Sequence, residues 1–209
     1  MDKNDHLVFC AFLSDNFPLV NDHPDVAGLL RDPYILENLG AAMANPFHDE
    51  GITKVIAPEA RGPVLGALVA TYLKAGLVLV RKEGRNHPGA DKTITSEHTW
   101  TGKRIGFLTR SFDLDESDRI LVVDDWATTG NTIRVAKKFI NENEATYIGS
   151  SVIVNKLRVF CSFKIVSTKF CLSNKGSKEA IPSAEILLTL LFISSVKFPN
   201  LFFNTTTDS

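Results

Sequence analysis

One stretch constrains this chain more than any other. Residues 119–132 read R-I-L-V-V-D-D-W-A-T-T-G-N-T. Ile120 to Val123 is a short continuous apolar run, the mark of a strand buried on both faces. Asp124 and Asp125 follow at once, and then small and hydroxyl residues from Ala127 to Thr132. A helical pattern starts directly afterwards, with Ile133, Ala136, Phe139 and Ile140 on one face. Buried strand, acidic pair, Thr/Gly loop and helix N-terminus in that order specify an α/β unit with its working parts at one strand end.

Each part has a chemical use. A loop entering a helix presents unpaired backbone N–H groups and the positive end of the helix dipole, which suits a phosphate. Gly130 lets the backbone approach closely, and Thr128, Thr129 and Thr132 add hydroxyl donors. Two acids beside such a cradle would repel the phosphate, so they serve something else. Ribose hydroxyls, or a Mg²⁺ carried by the substrate, are the natural candidates. The stretch has neither the lysine of a P-loop nor the spacing of a dinucleotide fingerprint. It resembles the phosphoribosyl diphosphate (PRPP) signature of type I phosphoribosyltransferases. That resemblance implies a mostly parallel twisted sheet flanked by helices, with a mobile lid loop.

The same plan occurs earlier in the chain. Thr53 to Pro58 reads as a buried strand, followed by Glu59-Ala60-Arg61-Gly62, Pro63 and an apolar helix through Tyr72. Arg61 beside Gly62 at a helix start offers a second anion site. Residues 76–82 form another apolar run, ending in Arg81 and Lys82. Strand, helix and strand at this spacing predict a parallel βαβ unit, with ligands at the strand carboxyl ends. E-A-R-G followed after one helix by L-V-L-V-R-K-E-G-R is similar to the adenine phosphoribosyltransferase branch. There the resemblance makes Arg61, Arg81 and Lys82 pyrophosphate ligands.

Other elements frame this core. Asp32-Pro33 is a helix start, with Tyr34, Leu36, Leu39, Met43 and Phe47 as a stripe. Residues 1–31 show no clear pattern, and Phe17-Pro18-Leu19-Val20 and His23-Pro24 read as irregular structure lying over a core. Glu83 to Thr101 is polar and long, and reads as a lid that keeps water from an oxocarbenium-like state. The resembled branch carries a Glu-Tyr pair before Gly-Lys in this loop. Here Trp100-Thr101 precede Gly102-Lys103, and Glu97 is the candidate for the lid's catalytic residue. His87 and His98 read as exposed loop residues. Arg104 to Phe112 and Ala145 to Val154 supply further strands, for a core of about five. The branch's base-binding pattern, a Pro-Gly followed by Phe-Arg-Asp, has only partial echoes in Phe17-Pro18 and Arg31-Asp32. Residue 60 is Ala where a hydroxyl is usual, and Trp126 is bulky beside the sugar site.

Asn155 marks a change. The first 155 residues carry an excess of acids and the remainder an excess of bases, with many Phe and Ser. Residues 1–155 read as the phosphoribosyltransferase domain and 156–209 as a divergent segment without a motif. A formal net charge of −1 argues against nucleic acid or an anionic membrane as partner. The polar N-terminus, three unspaced cysteines and lack of a long apolar run suit a cytoplasmic setting.

The resemblance implies an enzyme that joins a purine, adenine first, to the ribose 5-phosphate of PRPP, with Mg²⁺ as cofactor and a homodimer as assembly. Asp124 and Asp125 then hold ribose, and the Mg²⁺ is carried by PRPP with no direct protein ligand expected beyond Asp124 or Asp125. Thr128, Thr129, Gly130, Asn131 and Thr132 hold the 5′-phosphate. The alternative is a PRPP-binding regulator, or an inactive subunit, on the same fold.

Overall fold

The computed structural model describes residues 1–96, 104, 106–156 and 165–169, the last of these as backbone. Its central element is the strand β7 (Arg119–Ala127). Alternate residues of that strand bury on opposite faces. Leu121 and Val123 join one core cluster, Ile120 and Val122 the other. This is what a continuous apolar run must do when both faces are covered. The strand runs four residues past the expected end at Val123, so the two aspartates lie within it rather than after it. Pairing with β8 (Thr146–Asn155) continues through Asp124, Trp126 and Ala127, which gives this acidic end its backbone partners.

Around β7 the sheet orders as β5-β6-β4-β3-β7-β8-β9. β3 (Lys54–Pro58), β4 (Gly76–Lys82), β8 and β9 (Ile165–Lys169) complete the parallel part. β6 (Gly106–Thr109) runs antiparallel to both β4 and β5 (Lys92–Thr95). The expected mostly parallel sheet is present, and it is wider than five strands. Part of the extra width lies where a structureless lid was expected, because residues 92–95 pair with β6. Ile94 from this otherwise polar strand is buried in the core. A further strand, β9, lies beyond residue 155. Glu97, His98, Trp100 and Gly102-Lys103 fall outside the described residues.

Helices cover both faces. α3 (Pro33–Ala44) and α4 (Gly62–Leu73) share one cluster with β3, β7 and β8, while α5 (Asn131–Glu142) covers the other face. Asp32 caps α3 as expected, accepting from the backbone N–H groups of Tyr34 at 2.9 Å and Ile35 at 3.1 Å. Its buried face is Ile35, Leu39, Ala42 and Met43. Tyr34 and Leu36 of the expected stripe lie largely outside it. α3 and α4 approach to backbone contact, since a Cβ at Gly40 would sit 2.7 Å from the Leu68 carbonyl oxygen.

The N-terminal region is not irregular. α1 (Lys3–Asp15) is capped by Asp2, which accepts from the Asp5 N–H at 2.8 Å. It buries Phe9 and Leu13, and Phe9 and Phe12 meet the Tyr34 ring. A two-residue hairpin, β1 (Leu19–Val20) with β2 (His23–Pro24), and one helical turn, α2 (Val26–Leu29), lead into α3. Among the described residues no helix is long and apolar enough to cross a membrane.

At the far end of the sheet a charged anchor fixes the starts of β3 and β7. Asp118 is 4% exposed and accepts from Thr53 Oγ1 at 2.8 Å, Lys54 Nζ at 2.7 Å and the Asp115 N–H at 2.9 Å. These contacts tie together the starts of β3 and β7.

Candidate active site

Parallel pairing aligns the strands so that their carboxyl ends come together. Ile56 of β3 is level with Val122 of β7, and Pro58 with Val80 of β4. One to three residues further along these strands stand Glu59 after Pro58, Arg81 and Lys82 after Val80, and Asp124 and Asp125 after Val122. The convergence expected from the repeated strand–loop–helix pattern is therefore real.

Arg61 precedes the first residue of α4. Its Nε donates to Asp125 Oδ2, joining the loop after β3 to the end of β7. Gly62 makes this approach feasible, because a Cβ there would lie 3.3 Å from both the Ala57 carbonyl carbon and the Val123 oxygen. Arg81 pairs with Glu59, Nη2 to Oε1 at 3.2 Å, and the other Glu59 oxygen accepts the Lys82 N–H at 3.1 Å. These contacts, led by the Arg81 hydrogen bond, hold the Glu59 carboxyl below its ordinary range. Glu59 thus holds the Arg81 guanidinium and the Lys82 backbone at the β4 end. The sequence reading passed over it because an acid beside two anion-binding cations looks misplaced until the pairing is known. The Lys82 side chain is exposed.

Asp124 and Asp125 are each 8% exposed. The Asp125 N–H donates to Asp124 Oδ1 at 2.8 Å, so the two carboxyls are close neighbours. Burial, and then the charge of Asp125, push the Asp124 carboxyl well above the usual carboxylate range, while Arg61 opposes the shift. A strand end that buries two adjacent acids is costly unless something outside the chain uses them. Among the described residues no cluster of three or more His, Cys, Asp or Glu could hold a metal ion. Two adjacent carboxylates suit a cation that arrives with its own phosphate ligands better than one caged by protein.

The Thr/Gly loop follows immediately. Residues 128–130 bend, and Gly130 caps α5 with φ 73°, a left-handed conformation that favours glycine. Thr128 is exposed, while Thr129, Asn131 and Thr132 are half-buried. The Asn131 N–H lies 3.4 Å from Thr129 Oγ1. Ile133, Val135, Ala136, Phe139 and Ile140 bury the inner face of α5 and so fix where its N-terminus points. Trp126 is half-buried, with Lys156 Nζ 4.9 Å over its ring. His87 is half-buried rather than exposed.

The structure therefore brings Arg61, Arg81, Lys82, Asp124, Asp125 and the 128–132 loop to one end of the sheet. Glu97 lies outside the described residues. Sequence reasoning also missed Arg134, which reaches back over the loop from the first turn of α5; its spacing of three from Asn131 was the available signal.

Comparison with known proteins shows the family and the fold. The family model described as "Phosphoribosyl transferase domain" matches residues 26–159. An adenine phosphoribosyltransferase of Bacteroides thetaiotaomicron is 35% identical over 121 residues, which span 56% of this chain and 65% of that protein. One from Yersinia enterocolitica is 30% identical over 151 residues, 69% of this chain and 79% of the relative. In fold, the chain is similar to the adenine phosphoribosyltransferase of Rhodothermus marinus. The TM-score is 0.67 at 22% identity, over 78% of this chain and 98% of the other.

Proposed function

The chain belongs to the phosphoribosyl transferase domain family, and from that premise we propose that it transfers the ribose 5-phosphate of PRPP to adenine, releasing pyrophosphate in purine salvage. The observation that carries the reading is the junction of Arg61 with Asp125 at the sheet end that leads into the Thr/Gly loop. One end of the site supplies cations for a leaving pyrophosphate, the other donors for a phosphate. Two acids stand between them for a sugar.

In this reading Asp124 and Asp125 accept hydrogen bonds from the ribose 2′ and 3′ hydroxyls. Their charge also stabilises the positive charge that develops at the anomeric carbon. Thr128, Thr129, Gly130, Asn131 and Thr132 receive the 5′-phosphate. Arg61, Arg81 and Lys82 hold the pyrophosphate, with Glu59 orienting Arg81. A ring nitrogen of the base forms a bond to the anomeric carbon as the bond to pyrophosphate breaks. The electron pair leaves with pyrophosphate, and the nitrogen's proton is released. Mg²⁺ carried by PRPP would supply further charge neutralisation for the leaving group, and Asp124 or Asp125 would be the residues to hold it. No residue forms a covalent intermediate; positioning and electrostatics carry the rate. Glu97 is assigned to the lid, residues 1–155 to the transferase domain, and the assembly is a homodimer.

Incubation with PRPP, Mg²⁺ and a panel of bases, with pyrophosphate release as readout, tests the proposal. Turnover with adenine well above other bases is expected. Tight, Mg²⁺-dependent PRPP binding without turnover on any base would overturn it in favour of a PRPP-binding regulator. Light scattering of the purified chain tests the dimer.

A further inference from the structure

Arg134 is out of place by the usual electrostatics of helices. It sits in the first turn of α5, where the macrodipole is positive and a cation is disfavoured. Its side chain is exposed, and no ion pair among the described residues includes it. Instead it folds back toward the helix start. Nη1 donates to the Thr129 carbonyl oxygen at 2.9 Å and to Asn131 Oδ1 at 2.6 Å.

Those two partners matter because of what they are. A loop that cradles a phosphate must offer donors and hide acceptors, since a carbonyl oxygen facing an anion is repelled. The Thr129 carbonyl and the Asn131 amide oxygen are acceptors in the middle of this loop, and one guanidinium nitrogen takes both. With its oxygen on Arg134, the Asn131 amide is turned so that its NH₂ points elsewhere. The guanidinium also adds positive charge at the helix N-terminus, where an anion would be favoured.

We propose that Arg134 is a positioning residue of the 5′-phosphate loop. It holds two acceptors of the loop away from the phosphate and raises the positive potential there. The inference rests on the loop's reading as the 5′-phosphate cradle, so its test includes a measurement that needs no turnover.

Arg134→Ala, Arg134→Gln and Arg134→Lys are compared with the unaltered chain. Binding of ribose 5-phosphate by calorimetry is expected to weaken about tenfold in the Ala and Gln variants, with partial recovery in the Lys variant. In steady state the PRPP KM rises by a similar factor, while kcat and the base KM stay within about twofold. Because Arg134 is exposed, thermal unfolding moves little. Ribose 5-phosphate binding equal to that of the unaltered chain in Arg134→Ala would overturn the proposal. A matched fall in kcat and thermal stability without a change in PRPP KM would overturn it too. If the unaltered chain binds ribose 5-phosphate but releases no pyrophosphate from PRPP, the reaction assignment fails and the role of Arg134 stands or falls on the binding ratio.

Discussion

Asp124→Asn separates what the acidic pair costs the fold from what it does for a substrate. Asp124 is buried against Asp125, and burial followed by that neighbour's charge raises its carboxyl well above the ordinary range. A carboxyl raised in the folded chain favours folding fully below its unfolded pKa, about 3.9, and loses that contribution as pH rises through the folded value. Above both, the fold carries the whole penalty, about 1.4 kcal/mol for each unit of the rise. The amide has the same shape and no charge, and its oxygen still accepts from the Asp125 N–H, now 2.8 Å away. Removing the charge is therefore expected to raise the unfolding free energy by about 1–3 kcal/mol at pH 8. For a chain of this length that is roughly 2–12 °C in Tm. Urea unfolding at several pH values from 8 downward gives the increment, which should shrink toward zero near pH 4. The same variant should lose at least about a hundredfold in kcat/KM for PRPP. A gain that does not change with pH, or a loss of stability at pH 8, would refute the account of Asp124 as a strained acid.

Two other perturbations test the frame around it. Arg61→Ala should raise the PRPP KM about tenfold or more and cost about 3 kcal/mol of stability, because it leaves the buried Asp125 beside Asp124 without its cation; calorimetry and steady-state kinetics on one preparation check both. A larger stability loss with unchanged KM would make Arg61 structural. Asp118→Ala should cost about 3 kcal/mol, since it strands Thr53, Lys54 and the Asp115 N–H beside a buried site. Burial raises the Asp118 carboxyl, but the hydrogen bonds and charge of its partners outweigh this and hold it below the ordinary range. Its contribution is therefore present above the unfolded pKa and disappears as pH falls through the folded one. Urea unfolding should show the variant's deficit shrinking as pH drops below about 4.

How far the chain could be read beforehand follows from the range of each interaction. β7, β3, β4, α3, α4 and α5 are legible because local periodicity and capping decide them: apolar runs of strand length, Asp32 before Pro33, and Gly130 before a helical stripe. α1 was missed because its apolar residues surround the helix. Leu7 and Val8 are exposed while Phe9 and Leu13 are buried, so no single stripe stands out. β5 is four residues long with one buried side chain, and only its pairing with β6 makes it a strand. At the site, the residue types and their strand ends could be read, but not which cation meets which acid. Arg61 with Asp125 and Arg81 with Glu59 are separated by 64 and 22 residues. Only the parallel register brings them level.

That register also gives the site a selectivity no single residue carries. Arg61 and Asp125 are partners here, yet the proposed reaction assigns them to different parts of one ligand, pyrophosphate and ribose. A ligand that engages Arg61 alone leaves Asp125 without its cation, beside Asp124 and away from water, which is the costly arrangement for a buried acid. A ligand that engages Asp125 alone strands Arg61, which water can solvate because that side chain is half exposed. Pyrophosphate by itself should therefore meet the larger penalty and a sugar phosphate the smaller. In the proposed assignment intact PRPP would satisfy both groups at once. Discrimination in favour of the uncleaved substrate then arises from an ion pair of the protein's own, exchanged for two contacts that only the whole ligand can make together.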